Sequence, residues 1–191
     1  MLLLSHFTKG KGNKIMKKFD MQYEVNPLTM AIFTKQELNG QQRTFVMEED
    51  EEISVNGSPL KLIEYACLFF GASLKGRQEG TRGICGITHK TPITIDPSSG
   101  MYFFPTNSPK NPKCAWISHS HIDKVRKRNG RFSEIVFKNG KTIVINVSYG
   151  SMLNQVQRTA HFRFLLDERI MHLQKLKKAE MVAETYSKDP E

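Results

Sequence analysis

No stretch of this 191-residue chain comes near the roughly 18 consecutive apolar residues that a membrane-spanning helix needs. The apolar run Leu2-Leu3-Leu4 is too short for a signal-peptide core, and no small-residue cleavage site follows it. The expected location is therefore the cytoplasm. Cysteine is scarce: Cys67, Cys85 and Cys114 are odd in number and widely spaced. That excludes a disulfide scaffold and suits a reducing compartment. No Gly-x-Ser-x-Gly elbow occurs. Gly71 and Gly76 have P-loop spacing, but Arg77-Gln78 replaces the Lys-Ser/Thr that would hold phosphate and magnesium. Alternating βαβ units are also missing, which argues against a dinucleotide-binding sheet.

Acidic residues are in deficit. Against 28 Lys+Arg there are 19 Asp+Glu, giving a formal charge of +9 and a pI near 9.5. The excess is not spread evenly. Residues 61–150 hold fourteen basic and five acidic residues, whereas residues 16–60 are net acidic and include the block Glu48-Glu49-Asp50-Glu51-Glu52. A basic segment of this kind points to an anionic partner.

The length fits one domain. Met16 follows the purine-codon-rich run Lys9-Gly10-Lys11-Gly12-Asn13-Lys14 at ribosome-binding distance. Residues 1–15 are thus expected to be a leader before the true start or else a disordered basic arm, with residues 16–178 as the domain and 179–191 as a frayed tail. Without residues 1–15 the charge is +6.

The pattern predicts an α+β fold: a β-rich body, one internal helix and a C-terminal helical segment. Strands are expected at 23–25, 29–33, 43–47, 53–55, 92–95, 101–104, 114–121, 133–137 and 142–147. Asn139-Gly140 is the strongest hairpin signal. Leu60, Ile63, Cys67 and Phe70 fall at helical spacing, with Gly71 as a stop. Residues 71–86, with five Gly, are expected to be a loop. From 151 to 189 there is neither Gly nor Pro, and apolar residues recur at helical spacing. On that helix Arg158, Arg169, His161 and His172 recur at about three-turn spacing and could face DNA or solvent, with solvent the favoured side.

Two chemical readings follow. Cys114, His119 and His121 could supply part of a metal site, although a structural zinc site normally shows a fuller ligand pattern. This is the alternative reading, a small metal-dependent nucleic-acid enzyme. The other reading is a binding surface: Lys75, Arg77 and Arg82 in the Gly-rich segment, Lys110 and Lys113 in a Pro-bracketed loop, and Lys124, Arg126, Lys127, Arg128 and Arg131 in the densest cluster. If six of these met phosphates on a duplex, log K would fall with log[salt] at a slope of about −5. No helix-turn-helix with a glycine turn and basic second helix is evident, nor is any zinc-finger, basic-zipper or RNA-recognition motif. Basic loops flanked by Gly and Pro suit the minor groove.

Several ordered blocks resemble the ComK family of bacterial competence transcription factors. They are Cys67-Leu-Phe-Phe-Gly-Ala-Ser-Leu-Lys-Gly-Arg-Gln-Glu-Gly80, His89-Lys-Thr-Pro-Ile-Thr-Ile-Asp-Pro97, Tyr102-Phe-Phe-Pro-Thr106 and Cys114-Ala-Trp-Ile-Ser-His119. Asn139-Gly-Lys-Thr142 and Asn154-Gln-Val-Gln-Arg-Thr-Ala160 continue the series. The resemblance covers roughly residues 22–165. It implies a DNA-binding activator without cofactor or catalysis, binding AT-rich boxes largely through the minor groove as multimers. The implied partners are double-stranded DNA, further copies of the chain and RNA polymerase, on the nucleoid. It carries over Gly71, Ser73, Gly76, Arg77 and Gly80 as the family's Gly-rich segment, with Arg77 as the foremost DNA contact and Arg158 as a second. The run 124–131 lies outside these blocks. Beyond about residue 170 the match ends, and AEMVAETYSKDPE does not show the aromatic–aliphatic segment that a proteolysis adaptor reads in family relatives.

Overall fold

A computed structural model describes residues 23–37 and 40–186, with side chains to residue 180. The expected leader or arm at 1–15 and the last residues of the expected tail, 187–191, lie outside the described residues.

The strands are β1 (Thr29–Gln36), β2 (Gln42–Glu48), β3 (Glu52–Val55), β4 (Ile93–Asp96), β5 (Met101–Pro105), β6 (Trp116–Ser118), β7 (Ile122–Lys127), β8 (Ser133–Phe137) and β9 (Thr142–Ile145). The helices are α1 (Pro59–Phe69), α2 (Leu74–Cys85) and α3 (Tyr149–Tyr186). Six strands form one antiparallel sheet in the order β3-β2-β1-β6-β5-β4, and three form a second in the order β7-β8-β9. The fold is α+β, as the sequence predicts.

The larger sheet is covered on both faces. Side chains alternate across it, so Ile32, Val46, Phe103 and Trp116 meet Leu62, Ile63 and Cys67 of α1 on one side. Phe33, Met47, Phe104 and Ile117 meet Ile135, Phe137, Ile143 and Ile145 of the smaller sheet on the other. Double coverage explains why β5 is buried at every position. The acidic block helps join the two sheets: Asn139 Nδ2 donates to Glu49 O at 2.9 Å, and Lys141 Nζ to Glu48 O at 3.1 Å.

Four expectations are corrected. Residues 23–25 belong to no strand. The strand expected at 114–121 shortens to β6 and passes into a 3-10 turn at His119–His121. The Gly-rich segment is helix α2, so there are two internal helices. The missing signal was capping: Ser73 Oγ accepts from Gly76 N at 3.0 Å, and Gly86, at φ 70°, ends the helix. It follows that α1, the turn 70–73 with Gly71 at φ 72°, and α2 have helix–turn–helix connectivity, which the sequence had not shown.

Candidate nucleic-acid interface

Helix α2 presents Lys75, Gln78 and Arg82 along one side at helical spacing. They form one wall of an open groove of about 560 Å³. Leu60 and Glu64 of α1 lie beside them, and His89, Lys90 and Lys110 join the lining from two loops. Four cations therefore share one groove with a single carboxylate, Glu64. The first turn of α2 carries no acid, so the positive end of its dipole adds to the same field.

The loop that supplies Lys90 is held from outside the groove. Lys90 has φ 46°, which makes it the one non-glycine residue with positive φ among the described residues. Buried Gln155 of α3 donates from Nε2 to Lys90 O at 2.9 Å and to Pro105 O at 3.0 Å. Arg158 donates to Gln155 Oε1 at 2.9 Å and to His89 O at 2.7 Å. These bonds fix a backbone conformation that a side-chain-bearing residue otherwise disfavours. Sequence reasoning missed Lys90, His89 and Gln155 as site residues, although all three lie inside the resemblance blocks.

Arg77 and Arg158 are occupied. Arg77 donates from Nη2 to Ile95 O at 2.9 Å and to Phe70 O at 3.5 Å, bridging the end of α1 to β4. Its charge partly offsets the burial that pushes the Cys67 thiol up to about 11. Lys75 is largely exposed, 3.8 Å from Glu79 one turn on.

The other expected contacts do not converge on this groove. Lys113, three residues from Lys110, lines a different cleft between the two sheets with Phe33, Met47 and Ile145. Lys124, Arg126 and Lys127 stand on β7, and Arg128 and Arg131 in the turn to β8. Glu134 of β8 receives both Arg126, at 3.5 Å, and Arg128, whose hydrogen bond chiefly holds its carboxyl below the ordinary range. Lys124 lies 3.2 Å from Asp123.

The metal reading finds no support. Cys114 Sγ is buried and faces the Asn107 and Ala115 carbonyls. His121 Nδ1 bonds Ser118 Oγ at 2.9 Å, and its Nε2 lies 3.8 Å from Glu49. No group of three or more His, Cys, Asp or Glu among the described residues stands close enough to hold a metal ion. Asp96 caps its turn, accepting from Ser98 N and Ser99 N, and the bonds from Ser99 and Ser98 hold its carboxyl below the usual value. No helix among the described residues is long and apolar enough to cross a membrane.

Comparison with known proteins bears on the same segments. No solved structure matches the chain. The competence transcription factor of Bacillus subtilis (strain 168) is 41% identical over 150 residues, 78% of each chain. The family model for ComK protein matches residues 20–171, a span that takes in both sheets, the groove and the part of α3 that braces it. Over the whole of this folded body, the chain belongs to the ComK family.

Proposed function

We propose that this chain is a DNA-binding transcriptional activator that recognises AT-rich duplex, largely through the minor groove. The observation that carries the reading is the groove in which Lys75, Arg82, Lys90 and Lys110 converge, within a body related to a competence transcription factor. Four cations around one carboxylate suit a polyanion. A narrow AT-rich minor groove concentrates negative potential and rewards cations placed along it. The activity is binding and recruitment rather than catalysis, exerted in the cytoplasm on the nucleoid.

Lys75, Arg82 and Lys110 meet phosphates, joined by Lys90. Arg77 and Arg158 act through the surface they brace. Lys113, Lys124, Arg126, Lys127, Arg128 and Arg131 are a secondary positive field. Multimers form on DNA, with RNA polymerase as a further partner. The exposed apolar residues Phe164, Met171, Leu173 and Leu176 of α3 support self-association.

Gel shifts with labelled AT-rich duplex and unlabelled competitors test the reading. The expected result is displacement by AT-rich but not GC-rich competitor, and competition by a minor-groove drug. Equal displacement by both sequences would overturn sequence-specific recognition.

A further inference from the structure

The end of α1 leaves three consecutive large apolar residues on the surface. Leu68 is 49% exposed, Phe69 55% and Phe70 37%. Other large apolar residues are exposed singly, among them Phe132, Phe164 and Leu173, whereas these three are consecutive. The place of this patch explains what it could meet. Leu60 and Glu64 line the basic groove, and Leu68 is the next residue of that i, i+4 row. Leu68 thus extends that row past the groove, with Phe69 next to it at the end of the helix. Phe69 and Phe70 pack edge to face, with centroids 5.3 Å apart. The tip is also firmly mounted: Phe70 N donates to Ala66 O at 3.2 Å and Ala72 N to Cys67 O at 2.9 Å, and Arg77 reaches the Phe70 carbonyl.

We propose that Leu68 and Phe69 form a wedge that pushes between adjacent base pairs of a duplex lying along the groove, unstacking one step and kinking the DNA. This rests on the duplex-binding reading above. Charge selects the occupant. A protein partner covering the tip would bring its own surface against Lys75, Arg82, Lys90 and Lys110, whereas a duplex neutralises them while its base stack takes the apolar tip. Apolar wedges flanked by cations are a general route to bent DNA. The steps that open most readily are pyrimidine–purine steps such as TA, frequent in AT-rich sequence.

The full chain is tested on an AT-rich duplex carrying 2-aminopurine beside one TA step at a time, at low salt and saturating protein. Emission is expected to rise severalfold at one step. Phe69→Ala should lose that rise, and the bend seen with circularly permuted fragments, while keeping affinity within about tenfold. Phe69→Leu, which preserves an apolar side chain, should retain part of both, and unchanged melting of either variant shows an intact fold. The wedge is overturned if saturated duplex shows no rise at any step, or if Phe69→Ala keeps both rise and bend. It is equally overturned if Phe69→Ala splits a multimer of the free protein in sedimentation, which would place the patch between copies. Absence of binding to any duplex would sink the duplex-binding reading together with the wedge; binding without unstacking sinks the wedge alone.

Discussion

Arg77 donates from Nη2 to two backbone carbonyls on different elements, and its Nε is buried without a hydrogen-bond partner. The family resemblance implies only that it is a DNA contact. Its hydrogen bonds argue that truncation unfastens α1 from β4. Arg77→Ala is therefore expected to lower unfolding free energy by about 1.5–3 kcal/mol, the scale of hydrogen bonds from a charged donor. Lys110→Ala should change it by less than about 0.5 kcal/mol. Urea denaturation of both variants checks this, and equal stability would return Arg77 to a pure contact role. Charge was legible from sequence; what each charge bonds to was not, because the carbonyls of Ile95 and His89 arrive from distant parts of the chain. His119 and His121 show the same limit. Burial, first, lowers both imidazole values; Arg163 and Lys138 add to it for His119, while at His121 Glu49 opposes and Lys138 adds. A folded-state value below the unfolded one means that the unfolded chain binds more protons as pH falls. Their contribution is thus complete above about pH 6.5 and declines as pH falls through the folded values. The melting temperature is expected to hold from about pH 8 to 7 and then to fall toward about pH 5.5, less so in His119→Asn. A flat or rising profile over that acid range would contradict it.

Elements were most legible where one local signal ruled. Asn139-Gly140 forms its hairpin turn, with Gly140 at φ 85° and its N–H bonded to Phe137 O. The apolar spacing after Pro59 gives α1. Helix α2 was illegible because its glycines outweigh its pattern: only Leu74 and Thr81 are buried, and Thr81 owes its place to a hydrogen bond to Pro92 O at 2.8 Å. Tertiary packing and the Ser73 cap override poor propensity there. A Cβ at Gly80 or Gly83 would meet nothing within 4 Å. Gly80→Ala and Gly83→Ala are each expected to stabilise the fold by about 0.5–1 kcal/mol, by restricting the unfolded chain and improving helix propensity. Calorimetry reads this directly, and a loss of stability in either variant would mean that the helix surface is constrained by more than its own backbone.

At the scale of the molecule, two sheets and a helical layer gather one part of the basic excess and disperse the rest. The excess between residues 61 and 150 suggested a broad field and a salt slope near −5, but folding partitions it. Lys75, Arg82, Lys90 and Lys110 share one groove, Lys113 faces another cleft, and Glu134 engages Arg126 and Arg128 on the smaller sheet. Arg126 and Arg128 gain less from a phosphate, because the nearly buried Glu134 would be left unpaired, whereas the Lys75–Glu79 contact at 3.8 Å lies in solvent and is given up at little cost. The groove alone should therefore set the ionic response. Four phosphate contacts predict a slope of log K against log[salt] of about −4 on B-form duplex. Lys75→Ala and Lys110→Ala should each make it shallower by about 1 and weaken AT-rich and GC-rich duplex alike, as phosphate contacts do. Lys124→Ala and Lys127→Ala, on the other sheet, should leave the slope unchanged. Affinity measured from about 50 to 200 mM salt decides between the surfaces. A steeper slope that flattens when the β7 lysines are removed would move the interface to the smaller sheet.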